Sequence, residues 1–362
     1  MNFLFAWRYF KAKKSTNAIN IIAWISIVAM TFGTTALILV LSVFNGFEGM
    51  VKSLYSTFYT DLKVFPEKGK VLALTADQIK KIRTIAGVEN ISLVAEEKGL
   101  VQHSGLDTDS TEYNYQRAVT IKGVDENYKD VSGVAGSIVR GEFSTGNDET
   151  PYMVLGIGVE DALHVEAEKN LSPLKVYLPK KDSAVSIDLL NNVSAGLVNT
   201  SGVFVIQQEF DFNYAITNLH FVKKLLGYKA DEYSSVELGI NEGSDADNVK
   251  ENLQRLLGKD YLVQTIYEQN RGLYSIMAAE KWVVYAVLVL IMFIFSFTIV
   301  SSLTMLVLEK QKDISIIHAL GGNNNFIQRI FLSEGLLIGI IGGIAGIILA
   351  LVIAWLQINY KL

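Results

Sequence analysis

Residues Leu308–Asn325, LEKQKDISIIHALGGNNN, lie between two long apolar runs and decide how the rest of the chain is read. Lys310 and Lys312, with Arg329 just beyond, make this segment a short basic loop, and basic short loops stay on the cytoplasmic side of a membrane. Within it Ile314, Ile316, Ile317, Ala319 and Leu320 form a small apolar surface that closes on Gly321-Gly322. Plain chain reversal needs turn residues, not an amphipathic helix with a glycine stop. The pattern predicts a short helix lying against a cytoplasmic partner.

Outward from this loop, the apolar residues gather in three runs, Ile19–Val43, Trp282–Leu308 and Ile330–Leu356. Each exceeds the roughly 20 residues that cross a hydrocarbon core of about 30 Å. Half of the 362 residues are hydrophobic and the mean hydropathy is +0.29, which fits three spans joined to a large water-exposed domain. Residues 1–18 carry Arg8, Lys11, Lys13 and Lys14 and no acid, while the whole chain has a net charge of −5. The intervening region is therefore acidic, and both basic ends of the spans belong inside. The expected order is a cytoplasmic segment at 1–18, a span at 19–43 and an outer domain at 44–275. A stalk and second span at 276–308, the cytoplasmic loop at 309–329 and a third span at 330–358 follow. A cleaved signal peptide fits the first run poorly, because the run is too long and no small-x-small cleavage site follows it. Without cysteine, disulfides do not hold the outer domain together.

The outer domain reads as α+β. Strands are expected at Asp61–Phe65, Ile91–Val94, Ala118–Ile121, Tyr152–Leu155, Leu174–Leu178, Val203–Gln207, Ser235–Ile240 and Tyr261–Thr265. Thr75-Ala-Asp-Gln78 has the form of a capping box that opens a helix through Ile85, with Gly87 as its stop. Helices are also expected at Thr217–Leu226 and Asp245–Leu257, and from Glu268 straight into the second span. Asp107–Tyr115, DTDSTEYNY, lacks the calcium-loop spacing and reads as a polar loop. Lys180–Ser201 reads as a long hairpin whose Val185, Ile187, Leu189 and Leu190 are candidate partner contacts, since long ordered loops are often functional.

No enzyme signature is present: the chain has no phosphate loop, no nucleophile elbow and no H-E-x-x-H. His103, His164, His220 and His318 are too scattered for a metal site. No catalytic residue, metal or cofactor is expected on this chain, nor a nucleic-acid partner. Any energy must come from an ATPase on another chain.

Phe5-Ala-Trp-Arg-Tyr-Phe10 before the first span resembles the entry motif of Lol-type lipoprotein-releasing ABC transporter permeases. Ala36-Leu-Ile-Leu-Val-Leu-Ser-Val-Phe-Asn-Gly-Phe47 is similar to the outer end of their first span. Met305–Ile314 and Ala319-Leu320-Gly321 resemble their coupling region, which the wider MacB- and FtsX-like permeases share. The resemblance runs along the whole chain. It implies an inner-membrane protein with a MacB-like α+β periplasmic domain and four spans. This sequence carries three, so the fourth is expected to be supplied elsewhere or lost from a shortened product.

The resemblance further implies a cytoplasmic ABC ATPase dimer carrying ATP and magnesium, and a second permease subunit, the same or homologous. A periplasmic lipoprotein carrier, lipoprotein substrates and membrane lipids complete the expected partners. Glu309, Lys310, Asp313, Ile314, Ile317, His318, Ala319, Leu320 and Gly321 would dock in the ATPase groove. Leu37, Val40, Leu41, Phe44 and Phe47, facing Ile276, Met277, Val283 and Ala286, would line a cavity for acyl chains. The glycines Gly335, Gly339, Gly342, Gly343 and Gly346 predict close helix packing in the third span. Glu334 is expected to be a snorkelling or capped carboxylate in preference to a functional intramembrane acid. An FtsX-like regulator of cell-wall hydrolases and a MacB-like efflux or mechanotransmission permease remain the alternatives.

Overall fold

The computed structural model describes residues 17–106, 112–167, 173–181 and 192–360. The Phe5–Phe10 motif, the basic residues Arg8, Lys11, Lys13 and Lys14, residues 107–111 of the DTDSTEYNY stretch, and Val185, Ile187, Leu189 and Leu190 lie outside the described residues.

The elements run α1 (Asn17–Phe58), β1 (Leu62–Pro66), β2 (Leu72–Ala73), α2 (Ala76–Arg83), β3 (Val88–Leu106) and β4 (Glu112–Val124). Next come α3 (Tyr128–Val131), β5 (Ile138–Gly141), β6 (Tyr152–Gly156), α4 (Ile157–Leu163), β7 (Leu174–Pro179) and β8 (Val193–Phe204). They continue with α5 (Gln208–Asp211), β9 (Tyr214–Asn218), α6 (Leu219–Leu226), β10 (Glu232–Tyr233), β11 (Ser235–Ile240), α7 (Ala246–Leu257) and β12 (Tyr261–Thr265). The chain ends in α8 (Ile266–Gln269), α9 (Arg271–Glu309), α10 (Gln311–Ala319) and α11 (Asn324–Tyr360). It divides into two compact units, residues 50–274 and the two flanks, 1–49 with 275–362.

Residues 50–274 build a mixed sheet of ten strands in the order β12-β1-β11-β3-β4-β9-β6-β8-β5, with β7 bridging β3 and β8. Most pairs are antiparallel, but β4–β9 and β6–β8 run parallel. Apolar residues alternate along β1 and β7, so one face of each strand enters the core. Helix α6 closes one core cluster with Val222 and Leu226, and α7 closes a second with Val249 and Leu253. The last turns of α1 belong to a third cluster, in which Phe58 stacks on Phe210 at 4.2 Å and Tyr55 meets the same ring edge-on at 5.5 Å. A continuous helix of 42 residues rises about 63 Å, roughly twice a hydrocarbon core. It therefore carries on well past Val43, where the apolar run ends.

Under those aromatic rings the sheet gathers four charges, Lys122 and Glu237 buried and Lys63 and Glu96 half-buried. Lys63 on β1 stands opposite Glu237 on β11, and Glu96 on β3 opposite Lys122 on β4. The Lys122 ammonium lies 2.9 Å from the Glu237 carboxylate, donates to the Tyr128 hydroxyl at 3.1 Å, and sits over the Phe58 and Tyr128 rings. Lys63 reaches Glu96 at 2.6 Å and Glu237 at 3.3 Å. Burial alone would depress the Lys122 ammonium, but Glu237, Tyr128 and Glu96 hold it well above its ordinary value. Burial alone would raise Glu96, but Lys63 and then Lys122 hold it below the usual carboxylate range.

Several expectations need correction. The strand expected at Val203–Gln207 is β8, which starts ten residues earlier and ends at Phe204, so Val193–Ser201 is strand and not loop. Thr217 and Asn218 close β9, and the Asn218 side chain then caps α6 by accepting from the Phe221 N–H at 3.1 Å. Glu112–Tyr115 is strand, because β3 and β4 pair out to Leu106 and Glu112. The helix after Thr75 has the expected capping box but stops at Arg83. The outer helix does not run unbroken from Glu268: α8 ends at Gln269, and Asn270, at φ −120 and ψ 40, separates it from α9.

In the other unit α1, α9 and α11 are each long and apolar enough to cross a membrane. Thr31 donates to the Ile27 carbonyl in its own helix and to Gly342 O at 3.3 Å; Thr35 does the same with Thr31 and with Gly346 O at 3.0 Å. A constant offset between partners means that α1 and α11 run parallel. Gly342 and Gly346 permit the approach: a Cβ on Gly346 would lie 2.6 Å from Thr34 Cβ and 2.8 Å from Thr31 O. Gly335 packs against Leu303, whereas Gly339 and Gly343 face open space, so three of the five glycines serve packing. Gly346→Leu is expected to destabilise the helix bundle by about 1–3 kcal/mol, read as a lower thermal midpoint in detergent. Gly343→Leu should leave that midpoint in place.

Candidate ATPase-coupling site

The helix α9 ends at Glu309, and Lys310 (φ −93, ψ 11) turns the chain into α10. The backbone stays hydrogen-bonded through the turn, Lys310 N–H to Leu306 O and Ile314 N–H to Lys310 O. Lys310 pairs with Asp313 at 3.3 Å across the first turn of α10. At the other end Gly321 adopts φ +88, which a side chain resists. Its N–H bonds His318 O and the Gly322 N–H bonds Ile317 O, a Schellman stop. The glycine pair thus ends α10 as the sequence implies, and the Asn323 carbonyl then starts α11 by accepting from Phe326 and Ile327.

The short helix has two apolar faces, not one. Ile316 and Leu320, one turn apart, point outward with 59% and 83% of their surface exposed. Ile314 and His318, also one turn apart, line a groove of about 480 Å³ with Leu303 and Val307 of α9 and Asn324, Ile327, Gln328, Phe331 and Leu332 of α11. Of the residues expected to contact an ATPase, Ala319 and Leu320 are exposed on α10, whereas Ile314 and His318 belong to the groove. Ile317 packs against Gly322. Glu309 is half buried, and its Oε2 has no hydrogen-bond partner among the described residues. Ile316 joins the outward face; its spacing from Leu320 is the signal that identifies it.

Glu334 is 4% exposed, and its Oε2 likewise lacks a partner among the described residues. It does not snorkel, because Gly335 and its neighbours draw that turn of α11 against α9.

The residues expected to line an acyl cavity lie on two helices that run antiparallel, with the Phe295 ring against Gly33 and Lys281 paired to Glu48 at 3.3 Å. Val40, Phe47, Ile276, Val283 and Ala286 are exposed, and Leu37, Leu41, Phe44 and Met277 are half buried. Within one chain they form an open apolar surface and not a closed cavity.

Two of the four histidines, His103 and His164, come near each other in the fold. His103 and His164 are joined by a chain of rings: His103–Tyr113 at 5.2 Å, Tyr113–Tyr115 at 5.5 Å and Tyr115–His164 at 4.2 Å. His103 Nδ1 lies 3.0 Å from Leu163 O, which makes it a packing residue. His220 is exposed, 4.0 Å from Asp148.

Residues 23–256 match the MacB-like periplasmic core domain and residues 285–361 the FtsX-like permease C-terminal domain. The lipoprotein-releasing system transmembrane protein LolE of Haemophilus influenzae is 26% identical, over 97% of this chain and 82% of that protein. A LolC protein of Xylella fastidiosa is also 26% identical, over 96% and 80%. An uncharacterised ABC transporter permease of Methanocaldococcus jannaschii is 24% identical, over 97% and 82%. The chain belongs to the family of permeases that join a MacB-like periplasmic core domain to an FtsX-like permease C-terminal domain.

Proposed function

We propose that this chain is the permease subunit of a Lol-type ABC transporter, which extracts lipoproteins from the inner membrane and passes them to a periplasmic carrier. What carries this reading is similarity along nearly the whole chain to proteins of the lipoprotein-releasing system. The loop at 309–329 lies in the cytoplasm and the mixed domain in the periplasm. A separate cytoplasmic ATPase binds and hydrolyses ATP with magnesium, and α10 receives its motion. A rigid helix seated in a groove converts a few ångströms of partner movement into tilting of the helices attached to it. Charge supports the orientation, because the basic N-terminal segment and the 309–329 loop are placed inside together.

The open apolar surface formed by Val40, Phe47, Ile276, Val283 and Ala286 supports pairing with a second permease subunit. A closed cavity for acyl chains then forms only between two subunits. Transfer of a lipid chain out of a bilayer forfeits about 0.8 kcal/mol per methylene, so such a cavity and ATP are both needed. Depletion of the protein is the direct test. Lipoproteins bound for the outer membrane should accumulate in the inner membrane, as fractionation would read. Normal sorting with a division or cell-wall defect would instead favour an FtsX-like regulator.

A further inference from the structure

Glu334 is a carboxyl group placed where a charge is costly and given nothing to offset it. It lies in the apolar run of α11, buried on the turn that Gly335 draws against Leu303 of α9. Its Oε2 has no hydrogen-bond partner among the described residues. An isolated ionised carboxylate is not tolerated in an apolar interior; it takes up a proton or finds a cation. One cation stands within reach. Helices α9 and α11 run antiparallel, and Cα–Cβ bonds on a helix tilt toward its N-terminus. Glu334 therefore leans toward the loop end of α11, and Lys310, directly after α9, leans back toward the same level. The Lys310 ammonium acts on the Glu334 carboxyl, but its ion pair, at 3.3 Å, is with Asp313 in the first turn of α10.

The surrounding elements offer few other charges. Helix α1 has no titratable side chain from Asn17 to Phe47, and Arg271, Glu280 and Lys281 lie at the far end of α9. Glu309, at the loop end of α9, also has an Oε2 without a partner among the described residues. On α10 and α11, Lys312 and Arg329 are exposed and His318 lines the groove. Lys310 thus stands between two carboxyl groups, one that it holds and one that it does not.

We propose that Lys310 and Glu334 form an ion-pair switch at the root of α10. In the arrangement described, Lys310 is held by Asp313 and Glu334 carries its proton. In the other, Lys310 leaves Asp313 for Glu334, and the carboxyl gives its proton to water at the loop end. Asp313, whose side chain is 45% exposed, is then left to solvent at little cost. The exchange clamps α9 to α11 and frees the first turn of α10 to move on the Lys310 hinge, a two-state element of the kind that transmits motion. A partner docked on α10 biases the exchange; that consequence rests on the transport reading, and the switch itself does not.

Infrared spectroscopy of the purified full-length chain in detergent tests it. At about pH 7, where ordinary carboxyl groups are ionised, the parent should show a protonated-carboxyl band that Glu334→Gln lacks. Asp313→Asn releases Lys310 to Glu334 and should lower the pH at which half of that band is lost by about one unit or more. Lys310→Gln should raise it by about as much. In the Lys310→Gln background, Asp313→Asn should have no effect, because Lys310 carries the coupling between the two carboxyl groups. The absence of a Glu334 band at about pH 7 would overturn the proposal. So would single variants that move the midpoint in one direction or not at all, or an Asp313→Asn effect that persists without Lys310. The measurement involves neither lipoprotein nor ATPase, so its failure is distinct from failure of the transport reading.

Discussion

Lys122→Met is expected to destabilise the mixed domain by about 3–5 kcal/mol, the usual result of removing one partner from a buried ion pair. For a unit of this size that corresponds to a fall of roughly 6–20 °C in its melting midpoint. The four charges Lys63, Glu96, Lys122 and Glu237 sum to zero, and the side chains of Lys122 and Glu237 are each only 3% exposed. Deleting Lys122 leaves a net negative charge under the Phe58 and Tyr128 rings. Lys122→Met with Glu237→Met removes one charge of each sign and leaves the Lys63–Glu96 pair balanced. The double variant should then stand within about 1–2 kcal/mol of the parent, the remainder being the hydrogen bond lost at Tyr128. Hydrogen exchange of β3, β4 and β11 in the full chain separates the two. If the single variant is as stable as the double, water reaches the network and its burial is not what matters.

The same network fixes a pH window. The Glu96 carboxyl is held low in the folded domain, so its contribution is complete above the unfolded carboxylate range and is lost as pH falls through the folded value. Lys122 is held high, so its contribution is complete below the ordinary lysine value and is lost only as pH rises past it. The parent domain should therefore hold a stability plateau from about pH 5 to pH 10. In Lys122→Met the surplus negative charge favours protonation, so the deficit should shrink as the pH is lowered.

Hydropathy shows the three long helices because apolar runs of that length have few other uses. Local chemistry also marks the capping box at Thr75–Gln78 and the strands β11 and β12, whose boundaries match the structure. Expectation fails where one residue serves two elements or where glycine interrupts a strand. Asn218 both ends β9 and caps α6, so a helical pattern read from Thr217 hides the strand before it. Gly99 breaks the apolar alternation of β3, yet the strand continues because β7 crosses there: a Cβ at Gly99 would lie 2.5 Å from Tyr177 O. The ion network is invisible for a related reason. Each of its charges sits in a strand as a solvent-facing residue would, and only the register of β1, β11, β3 and β4 brings them into compensation.

The coupling loop illustrates the same limit at the candidate site, and there the larger functional effect is expected. Its sequence shows that α10 exists and where it stops, but the apolar residues form one undivided set. Folding against α9 and α11 assigns Ile314 and His318 to the groove and leaves Ile316 and Leu320 outside. A leucine 83% exposed at the stop of a helix contributes nothing to the packing of its own chain. Exposed apolar pairs on a short rigid helix suit burial in a partner's groove. Ile316→Glu with Leu320→Glu should therefore leave the fold unchanged and remove the docking anchor. Truncated anchors of this kind each weaken binding by about 2 kcal/mol or more, so the pair should lower ATPase affinity roughly a thousandfold. Co-purification of the ATPase and lipoprotein release should both be lost, with the membrane level and melting midpoint of the permease preserved. An ATPase that still co-purifies at parental stoichiometry would mean that energy enters this chain elsewhere. Ile314→Ala separates the two faces: it opens the groove without touching the anchor, so it should weaken ATPase binding far less than the outward pair.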